Sequence, residues 1–353
     1  MEHPKNNRPA KPSRKRQLLT ILAVLLAAIA IGAIFWSLQT RKVCQVPILM
    51  YHKIGDSHDS VWWVTAADFE SHLQSLKEQG YRSILPSDLV AHRRWGKPLP
   101  SKPIIITFDD GYLNCLEQAE PLLEKYGFRG VCYLITGQIS ETPETRRQYE
   151  GAPILSWQEI RAMQKRGTVA FGGHTRNHAN LRAQEDAYPE VRACFDDLRK
   201  IGGLKPAGFC YPFGQYHSKT PADVARAGFT TAVTCEDGIA ETGPGLKLME
   251  LPRVSVIGGT HRYHTESVST NPATVEVRVW KEGHSMKVYP RLVWPGRTQS
   301  SDDGWLEHVL IADQPVTLTW PRPVPTPAGA PTLELWDDFR VLRLFQAAVP
   351  GMP

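Results

Sequence analysis

The stretch Pro103-Ile104-Ile105-Ile106-Thr107-Phe108-Asp109-Asp110-Gly111 decides the reading of this chain. Three consecutive isoleucines after a proline form a β-branched run, the pattern of a strand buried on both faces. Gly111 then permits a sharp exit. The carboxylates of Asp109 and Asp110 sit side by side at the strand's end, where like charges disfavour joint ionisation. A metal ion can use one and a proton-transfer step the other. An isolated Asp-Asp-Gly is also an ordinary solvated turn. The pentapeptide gains weight from His174-Thr175-Arg176-Asn177-His178 further along the chain. Two imidazoles four residues apart can meet one ion from a helical turn or a tight loop. With Asp110 they make a His-His-Asp donor set with positions left for water and substrate.

The 353 residues are enough for two folded units. Strand patterns alternate with helical ones: Val46–Met50, then Phe69, Leu73 and Leu76 at helical spacing, then the strand feeding Asp109. Leu116, Leu122 and Leu123 mark a helix stopped by Gly127, followed by a strand at Val131–Ile135. Ser156-Trp157-Gln158-Glu159 has the form of a capping box and opens a helix to about Arg166. Thr168–Phe171 delivers His174. A helix over Val191–Ile201, a strand at Phe209–Tyr211 and a helix begun by Pro221 follow, with strands at Thr230–Thr234 and Val254–Ile257. The alternation predicts an α/β fold, a distorted (β/α) barrel of about seven parallel strands. Chemistry in such folds collects at the carboxyl ends of the strands, where this reading places Asp109, Asp110 and His174.

Past residue 265 the pattern changes. Val275, Val277 and Val279 alternate with polar residues, and Val288–Trp294, Val316–Trp320 and Leu333–Phe345 are strand-like with prolines and glycines between. Residues 266–353 read as an accessory all-β domain, a sandwich. Its Trp280, Trp294, Trp305, Trp320 and Trp336 have core-type spacing, with room for one exposed sugar platform.

The net charge of +5 is misleading. Lys5, Arg8, Lys11, Arg14, Lys15 and Arg16 against Glu2 account for all of it, so the rest is formally neutral and nucleic-acid binding is not indicated. Leu18–Leu38 is apolar apart from Thr20, Gly32 and Ser37, long enough to span a bilayer. The basic tail 1–16 before it predicts a transmembrane signal anchor over 17–39, with a cytoplasmic N-terminus in the inner membrane. The folded part, 43–265 and 266–353, would then be periplasmic or extracellular. A signal peptide cleaved near Ala27–Ala30 is the alternative. The six cysteines (Cys44, Cys115, Cys132, Cys194, Cys210, Cys235) include no C-x-x-C pair. An oxidising compartment permits disulfides between them, and buried thiols are the other reading.

Thr107–Gly111 and His174–His178 resemble the first two motifs of the polysaccharide deacetylase family, the NodB-homology carbohydrate esterases. Tyr211-Pro212-Phe213-Gly214 resembles the third, and Pro47-Ile48-Leu49-Met50-Tyr51-His52 the start of the poly-N-acetylglucosamine deacetylase branch. The resemblance covers about 46–258 and leaves out the C-terminal strands. It implies a metal-dependent N-deacetylase acting on N-acetylglucosamine units of a surface or wall polysaccharide. Asp110, His174 and His178 would hold a divalent metal, Zn2+ first, with Co2+, Ni2+ or Fe2+ as alternatives. Asp109 would be the general base and His52 the general acid. Tyr211, Pro212 and Phe213 would line the substrate, with the Phe213 N–H as oxyanion donor. One departure stands out: where many members carry an arginine two residues before the third motif's proline, this chain has Cys210. Arg253 is the candidate replacement.

Several residues keep an ordinary reading. His52 is otherwise a hydrogen-bonded core histidine, and His261 and His264 are solvated loop residues rather than a second metal site. Trp62 and Trp63 either stack on sugar rings or form a partly buried pair. Glu185-Asp186 is a solvated turn. The rivals for function are an O-acetyl esterase on an acetylated glycan and a non-catalytic glycan-binding scaffold. A glycan synthase or export machine in the same membrane is a candidate partner.

Overall fold

The computed structural model describes residues 23–25, 43–56, 60–258, 263–270, 274–281, 286–295, 305–306, 309–311, 315–321, 330–337 and 340–349. The chain forms two compact units, Met1–Val43 and Cys44–Pro353. Of the predicted anchor, only Ala23–Leu25 are described, as helix, and the remainder of 17–39 lies outside the described residues. Among the described residues no helix is long and apolar enough to cross a membrane.

Seven strands close into a parallel barrel in chain order: β1 (Ile48–Tyr51), β2 (Pro103–Phe108), β3 (Gly130–Leu134), β4 (Val169–Gly173), β5 (Phe209–Cys210), β6 (Ala232–Asp237) and β7 (Leu251–Ser255). β7 pairs with β1, and β1 pairs with β2, which removes every free edge. Arg82–Ser83 adds a short parallel ladder beside the start of β2. The isoleucine run is buried on both faces. Ile105 points into a cluster with Ile48, Val131, Tyr133 and Val233, while Ile104 and Ile106 join Leu49 and Cys132 in the layer under the helices.

The helices are α1 (Ala66–Glu78), α2 (Pro86–Trp95), α3 (Glu120–Tyr126), α4 (Trp157–Arg166), α5 (Tyr188–Lys200) and α6 (Thr220–Ala227). Phe69, Leu73 and Leu76 are fully buried on α1, as their spacing predicts. The Ser156–Glu159 capping box opens α4, and left-handed Gly127 ends α3. α2 carries too weak an apolar period to be read from sequence. It forms because its Leu89 joins the interior cluster at the barrel's N-terminal end.

The C-terminal strands are β8 (Tyr263–Thr270), β9 (Thr274–Lys281), β10 (Met286–Val293), β11 (Val309–Ile311), β12 (Val316–Pro321), β13 (Thr332–Trp336) and β14 (Arg343–Ala348). They make two antiparallel sheets, β8-β9-β12 and β11-β10-β13-β14. Val275, Val277, Val279, Leu318 and Trp320 of the first share a core with Val288, Leu292, Leu333 and Leu335 of the second. Strand pairing begins at Tyr263, before residue 266. Leu333–Phe345, read as one stretch, is two strands, because a turn held by Asp337 Oδ1 accepting from the Val341 and Leu342 N–H groups breaks it. Trp294, Trp320 and Trp336 are buried; His261 and the side chains of His264 and Trp280 lie outside the described residues. Val341 and Leu342 pack into the barrel's outer core, Gln79 Nε2 donates to the Val341 carbonyl at 3.1 Å, and Arg343 pairs with Glu78 at 2.9 Å.

Candidate metal and catalytic site

Thr107 Oγ1 donates to the Leu49 carbonyl (2.7 Å) and Asp109 N–H to the Tyr51 carbonyl (2.9 Å), so β1 sets the height at which β2 ends. The chain then reverses through Asp110 (φ 71°) and Gly111 (φ 84°), where an added Cβ would meet Leu134 at 2.9 Å. Thr175, His178 and Phe213 also hold left-handed backbone conformations. Such strain persists where surrounding structure over-determines it, and it gathers at working sites.

Asp110 Oδ1 lies 3.4 Å from His174 Nε2 and 3.6 Å from His178 Nε2, and the two Nε2 atoms are 3.2 Å apart. His174 Nδ1 donates to the Cys210 carbonyl (2.9 Å), which leaves the Nε2 lone pair facing the centre. His178 Nδ1 shares a 2.5 Å hydrogen bond with the Tyr149 hydroxyl. With Nδ1 donating to that oxygen, the second Nε2 lone pair also faces inward. Asp110 Oδ1 is buried without a hydrogen-bond partner among the described residues. A buried orphan carboxylate oxygen beside two inward lone pairs fits a divalent cation with these three donors. Burial and the neighbouring His174 push His178 down to about 4, so it is a neutral ligand near pH 7. Burial also pushes His174 down, but Asp110 and Asp109 outweigh it and its pKa is raised. Asp109, His174 and Cys210 form a second close group. It makes a poor metal site, because burial raises the Cys210 thiol and both Asp109 oxygens are engaged elsewhere.

Those oxygens meet Arg253. Nη1 donates to Oδ1 and Nη2 to Oδ2, both at 2.8 Å, in a two-pronged pair. Arg253 reaches in from β7, and its Nε donates to the Thr234 carbonyl (2.7 Å) and its Nη1 to Thr107 Oγ1 (3.1 Å). Cys210 Sγ lies 3.4 Å from Asp109 Oδ2 and 3.2 Å from Arg253 Nη2, so the thiol fills space beside the pair. Burial pushes the Asp109 carboxyl up, but the Arg253 guanidinium outweighs it and holds it well below the usual carboxylate range. His52 faces the same carboxylate, Nε2 to Oδ2 at 3.9 Å, with its ring 4.3 Å from that of Trp62. Burial lowers the His52 pKa, and Asp109 opposes that shift.

The third-motif residues divide. Phe213 is exposed at a left-handed turn, its ring 4.5 Å from that of His178. Pro212 is buried beneath it. The Tyr211 side chain turns away into the fold, where its hydroxyl donates to the Met249 carbonyl (2.9 Å) and its ring stacks on Tyr216. The Tyr211 ring is therefore a core element and not a substrate contact, because its hydroxyl is already satisfied inside.

Residues 96–232 match the polysaccharide deacetylase family, and the matched region contains Asp109, Asp110, His174, His178 and Tyr211–Phe213. The chain carries a polysaccharide deacetylase domain. YxkH of Bacillus subtilis is 26% identical over 62% of this chain and 74% of its own length. The poly-beta-1,6-N-acetyl-D-glucosamine N-deacetylase of Escherichia coli is 23% identical over 51% of this chain, a match spanning only 32% of that protein. Among solved structures, the Streptococcus pyogenes deacetylase PplD, in complex with acetate, superposes with a TM-score of 0.54 at 26% identity. That superposition covers 62% of this chain and 95% of PplD.

The deacetylase domain also holds groups the sequence did not point to. Tyr149 comes from a hairpin pairing Gln148–Tyr149 with Ala152–Pro153, and nothing in its local sequence aims it at His178. The buried Lys53 ammonium lies 4.7 Å from the Tyr112 ring centroid and 5.7 Å from that of Trp63, and donates to the Glu150 carbonyl at 3.2 Å. Trp63 is thus a packing partner of Lys53, whereas Trp62 borders His52.

Proposed function

We propose that the chain is a metal-dependent N-deacetylase that removes acetyl groups from N-acetylglucosamine units of a surface polysaccharide. The domain belongs to hydrolases acting on amide bonds. One observation carries the reading: an Asp-His-His donor set lies beside a carboxylate that a buried arginine keeps ionised, with a histidine facing that carboxylate. A divalent cation held by Asp110, His174 and His178 would lower the pKa of water and polarise the acetamide carbonyl. Zinc suits two imidazoles and a carboxylate, and Fe2+, Co2+ or Ni2+ accept the same donors.

Asp109 accepts the proton of the attacking water. Its strong pairing with Arg253 keeps it ionised and fixes its orientation, and Oδ2 is the oxygen on the side of His52. His52, across that carboxylate, hands a proton to the departing amine. The backbone N–H of Phe213 is the candidate donor to the developing oxyanion, and its exposed ring borders the substrate path. The relative from Escherichia coli, named for poly-beta-1,6-N-acetyl-D-glucosamine, makes that polymer the first substrate to try. Residues 17–39 would anchor the enzyme in the inner membrane, with the catalytic domain outside. The C-terminal strands would form an accessory domain that orients the glycan or meets a synthase or export partner.

Acetate release from β-1,6-linked N-acetylglucosamine oligomers tests this reading. Chelation should abolish release, added zinc or cobalt should restore it, and Asp109→Asn should stay inactive. Bound metal with no release from N-acetylated oligomers, but release from an O-acetylated glycan, would overturn the N-deacetylase assignment. No bound metal would overturn the site.

A further inference from the structure

α2 plugs the barrel at its N-terminal end. Its Leu89 and Val90 are buried, and Leu89 packs with Val46, Ile48 and Ile105. The other face and the end of the helix therefore look away from the barrel, and they carry Arg93-Arg94-Trp95-Gly96-Lys97. Trp95 is 75% exposed, the most exposed of the large apolar side chains described. An isolated exposed tryptophan is unusual in a protein that buries Trp157, Trp294, Trp320 and Trp336.

The charge around it is mostly positive. Arg82 pairs with the first residue of β2, Lys102 precedes that strand, and Arg129 precedes β3, so all three crown the same end. Among the described residues none of Arg82, Arg93, Arg94, Lys102 and Arg129 has a carboxylate within salt-bridge distance. Lys102 donates to the Gln79 carbonyl and lies 5.7 Å from the Tyr81 ring centroid, and Arg129 donates to the Gly167 carbonyl, with Asp88 as the acidic group that feels its charge. Lys97 is neutralised by Asp88 at 2.8 Å, and exposed Glu241 is the nearby opposing charge on the strand beside Gln45. Some cations at other helix ends are matched, Lys125 by Glu70, Arg166 by Glu120 and Arg226 by Asp223, whereas Lys77, Lys165 and Arg199 are not in a salt bridge among the described residues. The helix dipole explains basic residues in a last turn, and what sets this end apart is the exposed Trp95 among them.

The chain enters the folded unit at this same end. Cys44 N–H donates to Thr242 Oγ1 (3.0 Å), Thr242 N–H donates to the Cys44 carbonyl (3.1 Å), and Arg93 Nη2 donates to the neighbouring Pro244 carbonyl (3.2 Å). The apolar run ends at Leu38, six residues before Cys44, a reach of about 20 Å at most. A tryptophan among arginines that lack carboxylate partners, at the end of the barrel where the chain enters the fold, matches the chemistry of a bilayer's headgroup layer.

We propose that the α2 end of the barrel is a docking surface for anionic phospholipid headgroups, with Trp95 in the interface and Arg93 and Arg94 on the phosphates. The proposal rests on reading residues 17–39 as a membrane-spanning anchor. It deepens that reading, because it sets the enzyme's orientation. Strand β2 has six residues and rises about 20 Å, so Asp109 and the metal donors stand at the far end, turned from the bilayer. A polymer lying above the membrane then reaches the site without passing beneath the barrel.

The test uses the full chain reconstituted in vesicles whose phosphatidylcholine is brominated near the headgroup, with or without phosphatidylglycerol. Tryptophan quenching is compared between the unaltered chain, Trp95→Phe and Trp36→Phe, Trp36 being the tryptophan within the segment 17–39 read as the anchor. Part of the quenching in anionic vesicles should vanish in Trp95→Phe. Arg93→Gln with Arg94→Gln should weaken docking roughly thirtyfold, about fivefold per arginine, and high salt should do the same. Acetate release from soluble oligomers should be unchanged in all of these variants, which shows that they fold. Quenching lost in Trp36→Phe but unaltered in Trp95→Phe would leave the anchor standing and overturn the docking surface. Quenching lost in Trp95→Phe alone would support the surface and overturn the anchor.

Discussion

Replacing Arg253 by methionine tests the ion pair at the centre of the site. The Arg253 side chain is fully buried and Asp109 is 2% exposed, so the pair is largely desolvated. Removing one member of a buried pair costs about 3–5 kcal/mol, because the other charge stays desolvated. The lost bonds to the Thr234 carbonyl and Thr107 Oγ1 push the cost toward the upper end. Asp109 recovers part of this by taking up a proton. Burial is already the largest influence on its carboxyl and drives it upward once the guanidinium is gone. A protonated Asp109 cannot accept a proton from water, so turnover should fall about a hundredfold or more, the usual worth of a general base. Its residual acidic limb should move to higher pH. Denaturant melts of Arg253→Met, Asp109→Asn and the double variant give the coupling directly, and about 2 kcal/mol is expected. Additive stabilities, or an unmoved acidic limb with intact turnover, would refute both the pairing and its role. Arg253→Lys should fall between, since an ammonium cannot bridge two oxygens in parallel.

Three further outcomes follow from the same contacts. The depressed pKa of Asp109 means that its pairing contributes stability above the ordinary carboxylate pKa of about 4, lost as pH falls toward the depressed value. Asp109→Asn should flatten the acid limb of a stability-against-pH curve and leave its neutral and alkaline parts parallel to those of the unaltered protein. Tyr149→Phe removes the oxygen that holds His178 Nδ1, so metal affinity should drop about 10- to 100-fold by competitive chelator titration, with the fold intact. Leu342→Ala should destabilise the protein by about 2–5 kcal/mol in chemical denaturation, since this C-terminal residue packs into the barrel's outer core. An effect below about 1 kcal/mol would mean that the contact contributes little.

The sequence by itself determined the parts whose signals are local. Ile104–Ile106 read as a buried strand, the Ser156–Glu159 box opened α4 on its own hydrogen bonds, and Gly111 marked the turn that follows Asp110. The four-residue spacing of His174 and His178 sufficed to suggest one ion between them, and the alternation of strand and helix implied parallel pairing. Only the tertiary structure decided which distant groups complete the site. Barrel closure in chain order brings β7 within reach of β2, and so sets Arg253 on Asp109 across 144 residues. Closure brings in His52, the residue after β1, as well, and both residues lie outside the family match at 96–232. Tyr149 reaches His178 because a hairpin folds over the strand ends, and the Tyr211 ring turns inward because the Met249 carbonyl awaits its hydroxyl. α2 escaped notice because its stability comes from plugging the barrel, a contact that no helical period records. A local pattern can specify an element and the chemistry at its end. Which side chains meet there depends on the strand order and register, and those are properties of the closed sheet.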